Sequence, residues 1–359
     1  MFMYGLIIVL TGLFALFLTP TSGQKRSFYY FATIMLWSLI FATIAFRAEE
    51  IGADTINYIN KYLLIKDLTN YSQYGGTAAG EPLFFILNKF LSHVFGPWAQ
   101  CIIVVEAIAV VGAYSWAFKR YSINAIFSIL GFLALGLYLT SLCLLRQFIA
   151  ISICVYSIRY IVDKKPWHFY VCVVLAMLIH YSAIFWGVTY LACNSFNNNK
   201  SIKYLFYLAF AVFGYFAVDI FLETTAGVFE KWSGWSANAA VSEGYISFAI
   251  FALITLFVFF YRKSIVSMYP YADIMININY LNFILWTMRL VTRNTERVSF
   301  YFTIAPILLV PVLCKAIEKK HGSAAGTMFK AVIVFSMMVL FWIKATKDPS
   351  LYPYVFLQF

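Results

Sequence analysis

Residues 123–162 read INAIFSILGFLALGLYLTSLCLLRQFIAISICVYSIRYIV, and their reading decides the fold. The stretch carries two charges, Arg146 and Arg159, and no acid. A bilayer core is about 30 Å thick and takes about 17–25 apolar residues of helix to cross. The stretch is therefore long enough for two spans, 123–142 and 145–162, with Leu145-Arg146-Gln147 at the turn between them.

Comparable apolar runs lie at 3–20, 28–46, 100–118, 204–222, 245–262, 298–316 and 327–346. Residues 276–292 form a weaker run, interrupted by Asn277, Asn279, Asn282 and Arg289. Such a run fits a span that faces protein or a water-filled cavity. Residues 82–98 are apolar but short, contain Asn88, Lys89 and His93, and end at Gly96-Pro97. They predict an interfacial helix. Residues 168–192 hold His180-Tyr181-Ser182 at their centre and predict a broken, re-entrant helix pair. The expectation is an all-α polytopic integral membrane protein of about ten transmembrane helices, as a single membrane domain over residues 1–359.

Composition agrees. Of 359 residues, 63% are hydrophobic and 11% charged, where a soluble domain carries about 25% charged residues. The net charge of +11 comes as short clusters between apolar runs, such as Lys25-Arg26 and Lys119-Arg120. That is the positive-inside pattern and not a continuous basic stripe, so no nucleic-acid partner is expected. The six cysteines form no CxxC pair and read as small packing residues. With loop 21–27 in the cytoplasm, and with 82–98 and 168–192 each starting and ending on one side, 15 of the 26 Lys and Arg fall in the cytoplasm. Only Asp163, Asp273 and Glu318 of the 15 acids join them. Residues 47–81 and 223–244 then form the first and second outer loops, the first ending at the start of the interfacial helix.

The outer side collects the residues with chemistry. Arg47 and Asp54 open the first loop, with Tyr58 following. Glu81 precedes Pro82, a residue suited to a first helical turn. Arg146 stands alone in a long apolar stretch, beside Gln147, and a guanidinium there needs a partner. Its planar fork matches phosphate oxygens at two points. His180 lies at a helix break and is suited to give or take a proton. Arg289, Arg293 and Arg297 are four apart, so one helix would stack them on one face, with Glu296 as a local partner. No phosphate-binding loop and no metal-ligand constellation is present.

One ordered set of short pieces resembles a known family. It comprises Gly52-Ala53-Asp54-Thr55-Ile56-Asn57-Tyr58, Glu81-Pro82-Leu83-Phe84, Leu145-Arg146-Gln147-Phe148-Ile149-Ala150, Leu175-Ala176 with His180-Tyr181-Ser182-Ala183, and Arg297 with Tyr301-Phe302. In this order and spacing, over roughly 45–310, it resembles the bacterial EpsG family of Wzy-type exopolysaccharide and O-antigen polymerases. The closing Tyr352-Pro353-Tyr354 is similar too. The resemblance implies a GT-C-like glycosyltransferase in the bacterial inner membrane, active on its periplasmic face and without a cofactor. Its partners would be an undecaprenyl-pyrophosphate-linked glycan donor and acceptor, the lipid bilayer, and a chain-length regulator and flippase of the same pathway. The Arg set would hold pyrophosphate. Asp54 is the first choice for the base that takes the acceptor's proton, Glu81 the second and His180 the third. Competing readings are a lipid-linked oligosaccharide flippase, an O-antigen ligase and, on His180 alone, a membrane O-acyltransferase.

Overall fold

The computed structural model describes residues 2–20, 24–65, 81–195, 201–212, 244–290 and 295–357. Residues 66–80 of the first expected loop, nearly all of the second, and Arg293 lie outside them. Among the described residues the chain is all-helical and without strands. In order come α1 (Phe2–Phe17), α2 (Gln24–Ala45), α3 (Thr55–Ile65), α4 (Pro82–Phe95), α5 (Gln100–Tyr121), α6 (Ala125–Ala134), α7 (Leu137–Ser141), α8 (Leu145–Val162) and α9 (Pro166–Ile179). A 3₁₀ turn (Tyr181–Gly187), α10 (Val188–Tyr190) and a π turn (Leu191–Ser195) follow. Then come α11 (Ser201–Val212), α12 (Gly244–Phe260), α13 (Arg262–Met268), α14 (Ala272–Met288), α15 (Thr295–Ser299), α16 (Ile304–His321) and α17 (Ser323–Lys347).

This is a membrane protein with transmembrane helices. Residues 26–45 of α2, together with α5, α8 and α17, are long and apolar enough to cross a bilayer, and α12 with α13 makes a further pair bent by 74°. Other expected spans take the form of shorter apolar helices, α1, α6 and α11 among them. The run 123–142 is not one helix. It breaks at Leu135-Gly136, where Gly136 takes φ +97° and starts α7, a left-handed conformation that suits a residue without Cβ. The run 168–192 breaks at His180, which takes an extended conformation (φ −152°, ψ 110°) between α9 and the 3₁₀ turn.

Helix α8 lies inside the bundle, packed on α5 and α9, with 67% of its most apolar stretch buried, against 22% for α17 at the periphery. On α17, Met328, Val332 and Phe335 point outward at 71%, 55% and 69% exposure. Lipid accepts such a surface where water would not. Within it, tight packing and satisfied polar groups hold helices together.

Long-range bonds bring several helix ends to one end of the bundle. Gln100 Nε2 donates to the carbonyls of Ala45 (2.7 Å) and Arg47 (3.2 Å), placing the start of α5 beside the end of α2. Thr55 Oγ1 donates to the Leu142 carbonyl (3.2 Å), joining the start of α3 to the approach to α8. Gly52 N–H donates to the Ser350 carbonyl (2.8 Å), which ties in the segment after α17. That segment also accepts from Ala48 N–H at Val355 (3.1 Å) and donates from Leu357 N–H to Phe46 (2.9 Å). Gly52 is required here: at φ +93°, a Cβ would come within 1.9 Å of the Leu142 carbonyl oxygen. The opposite end holds the basic last turns of α5 and α16, with Lys119, Arg120, Lys319 and Lys320.

Candidate functional site

Glu81 is the hub of the site. Pro82 opens α4, and Glu81 sits at its N-cap with a fully buried side chain. Its Oε2 accepts from Arg146 Nη1, and its Oε1 pairs with His180 Nδ1 at 2.6 Å. The Tyr181 backbone N–H adds a further donor. Burial pushes the Glu81 carboxyl up, but His180, then Arg146 and the Tyr181 N–H, outweigh it and hold the group below the usual carboxylate range. The carboxylate is therefore ionised, fully engaged and a weak base. Glu81, Arg146 and His180, expected separately from the sequence, are brought into direct contact.

Local structure explains why these side chains converge. Helix α9 stops at Ile179, and extended His180 turns its ring out of the helix axis toward Glu81. The following turn is held by Ser182 Oγ with Tyr301 OH (3.1 Å) and by Trp186 Nε1 donating to Ser157 Oγ (2.9 Å). Arg146 lies in the first turn of α8. Its guanidinium carbon sits 5.6 Å from the ring centroid of Tyr58 and 5.7 Å from that of Phe84. Both contacts lie in the range of cation–π attraction, so the fork is caged by rings from α3 and α4. Gln147 Nε2 donates to the Arg297 carbonyl (2.6 Å), fixing α15 against α8. His180 makes no bond through Nε2 among the described residues, and its side chain is 16% exposed.

Asp54 sits before α3, where its carbonyl accepts from Asn57 N–H (3.1 Å) and Tyr58 N–H (3.2 Å). Its carboxylate is half-buried and makes no hydrogen bond among the described residues. Tyr58 itself is buried against Arg146 and Phe84. Asp54 thus stands beside the cluster through Tyr58, with its charge reaching that hydroxyl.

Two groups of expected residues are placed apart from this hub. Arg47 is fully buried, bonded to Glu106 Oε2 (2.8 Å) and to the Ile44 carbonyl (2.8 Å), and holds α2 to α5. Arg289 ends α14 and donates from Nε to Glu296 Oε2 (2.8 Å). The helical face expected through 289, 293 and 297 is not a continuation of α14. Helix α14 stops at Met288, with Arg289 and Leu290 in a turn, and Arg293 lies outside the described residues. Sequence reasoning passed over Glu106, Ser182 and Tyr301 as partners. Glu106, a lone acid in an apolar run, carried the same signal that singled out Arg146.

The sequence pattern of the EpsG family matches residues 28–356. The chain belongs to the EpsG family. EpsG is a polysaccharide polymerase-like family, so the role is of the polysaccharide-polymerase type. The EpsG match is wider than the stretch on which the sequence pieces were found, and it takes in Glu81, Arg146, His180 and Arg297 together with the segment that bonds to Gly52. No characterised protein and no solved structure matches the chain.

Proposed function

We propose that this chain is a GT-C-like membrane glycosyltransferase of about ten spans that polymerises oligosaccharide repeat units carried on undecaprenyl pyrophosphate, at the outer face of the bacterial inner membrane. It moves the growing glycan from its lipid carrier to the non-reducing end of one new lipid-linked unit. The observation that carries this reading is the Arg146–Glu81–His180 cluster. It sets a phosphate-type cation beside an imidazole with an open nitrogen, in a chain of polymerase-type family.

The acceptor's sugar hydroxyl attacks the donor's anomeric carbon, forming the new C–O bond. The C–O bond to pyrophosphate breaks, and its electron pair leaves with undecaprenyl pyrophosphate. Arg146 and Arg297 stabilise the charge that grows on the leaving oxygens, an interaction worth most in the transition state. Glu81 holds the His180 Nδ1 proton, so Nε2 is the nitrogen that takes the hydroxyl proton. Asp54, whose carboxylate is open, binds and orients acceptor hydroxyls. Arg47 and Arg289 support the frame.

The test is reconstitution. Purified protein in vesicles with a lipid-linked repeat unit should yield a ladder of polymer on a gel, and Arg146→Gln should yield none. Movement of labelled units across the vesicle without chain growth would replace this reading with a flippase. Transfer only onto a lipid A core or a protein would replace it with a ligase.

A further inference from the structure

Lys344 lies on α17 near the end of the bundle that holds the site, three residues before the helix stops. Its Nζ approaches the α6–α7 break. A Cβ on Gly136 would lie 3.3 Å from that nitrogen, so the glycine leaves the ammonium its room. Among the described residues Lys344 makes no hydrogen bond and no ion pair. The carboxylate whose field reaches it is Glu296, and Glu296 is already bonded to Arg289 at 2.8 Å. Arg289 in turn fits against Gly244, where a Cβ would meet its Cζ at 3.2 Å. Two glycines thus make space for two cations, of which Glu296 bonds only Arg289. Lys344 is half-buried in the last turn of a span, where an ammonium is costly unless it is paired or hydrated.

We propose that Lys344 is an anion-binding residue, taking an anionic group of the lipid-linked substrate at the α6–α7 break. The group has several oxygens on one centre: a phosphoryl group of the carrier pyrophosphate or a uronate carboxylate of the glycan. This deepens the function proposed above, since the ligand's identity rests on that reading. The placement of Lys344 does not. The competing role is structural, with the ammonium facing the last carbonyls of α6 as a helix C-terminal charge partner. The two roles make opposite demands on stability. A structural cap stabilises the empty protein. An unpaired cation held for a ligand destabilises it and is offset only when the anion arrives.

The experiment measures the melting temperature of the purified protein in detergent, titrated with inorganic pyrophosphate and separately with glucuronate. Chloride at equal ionic strength is the control. Lys344→Met is compared with wild type, and the pair is repeated in an Arg146→Gln background. Without anion, Lys344→Met should melt at or above wild type. At least one of the two anions should bind it about tenfold more weakly, the scale of one charge-assisted contact, and that anion identifies the source. The Arg146→Gln background should keep the Lys344-dependent part of the shift. A lower melting point for Lys344→Met without anion would overturn the proposal in favour of the cap. So would equal binding of both anions by wild type and Lys344→Met, or no shift of wild type beyond chloride. Because the readout needs no turnover, a failed polymerisation assay leaves this result standing, and the converse holds.

Discussion

Glu81→Gln tests the hub most directly. The amide keeps the shape of the carboxylate but offers one acceptor where Glu81 offers two, to Arg146 and to His180. If its oxygen stays with Arg146, its NH2 faces His180 Nδ1, and the neutral ring must move its proton to Nε2. The open nitrogen then becomes a donor. In a Ser-His-Asp triad the equivalent amide exchange costs about 10⁴-fold in kcat, or about 5 kcal/mol of transition-state stabilisation. The stability cost is smaller. Removing one partner of a fully buried pair costs about 3–5 kcal/mol. Here Arg146 and His180 are 13% and 16% exposed, Arg146 keeps its two rings, and one hydrogen bond survives, so about 1–3 kcal/mol is expected. The assay is polymer formed per protein in vesicles, alongside thermal unfolding in detergent. The double variant Glu81→Gln/His180→Gln should be no slower than the worse single one, because both changes disable one unit. Turnover of Glu81→Gln within about tenfold of wild type, or full additivity in the double variant, would refute the argument.

Arg146→Lys should keep the charge but lose the two-point fork and its ring contacts, giving less than about a tenth of wild-type turnover in the vesicle assay. Arg47→Met leaves Glu106 buried and alone, and should lower stability by about 3–5 kcal/mol while the surviving folded fraction keeps its KM, read by thermal unfolding and by kinetics on the folded pool. A large KM rise with normal stability would instead make Arg47 a substrate ligand. Gly52→Ala drives a Cβ into the Leu142 carbonyl, so the Asp54 turn should shift, and reactivity of a cysteine placed at Asn57 toward an impermeant thiol reagent should change. Glu81 has a folded pKa below its ordinary 4.5. Its contribution to stability is therefore fully present above that value and is lost as pH falls through the lower folded value. The gap in melting temperature between wild type and Glu81→Gln should be flat above 4.5 and shrink below it. A gap that stays constant into stronger acid would place Glu81 outside this linkage.

The membrane class was legible because lipid rewards one property, continuous apolar length, and a sequence displays length directly. The break at His180 was legible for a related reason, since polar residues inside an apolar run need a cavity or a helix end. The break at Gly136 was not, because a glycine in an apolar run is equally at home inside a span. Arg146, Glu81 and His180 were each visible, but not their union, because the pairs are 65 and 99 residues apart in the chain. Nothing local encodes which distant acid meets which base. The Arg289 to Arg297 stripe does not continue α14, and Arg293 lies outside the described residues. Fourfold spacing aligns side chains only while a helix continues, and α14 stops at Met288. Arg47 reads from the sequence as the opening of an outer loop because Glu106, its partner, lies inside an apolar run.

The arrangement also says why a carboxylate belongs at the centre of a site meant for anions. Arg146 alone, in an apolar bundle, would bind pyrophosphate tightly before and after reaction alike, and uniform binding does not speed the chemical step. Glu81 offsets part of that charge in the ground state and fixes the fork between Tyr58 and Phe84. As the anomeric bond breaks, the leaving oxygens gain charge while the guanidinium stays in place, so its attraction grows along the reaction path and no reorganisation is needed. The same carboxylate sets the proton of His180 on Nδ1, which makes phosphate binding and proton transfer depend on one residue. A change at Glu81 should therefore alter both the leaving-group and the proton-transfer halves of the reaction, whereas a change at Arg146 or His180 should alter chiefly its own.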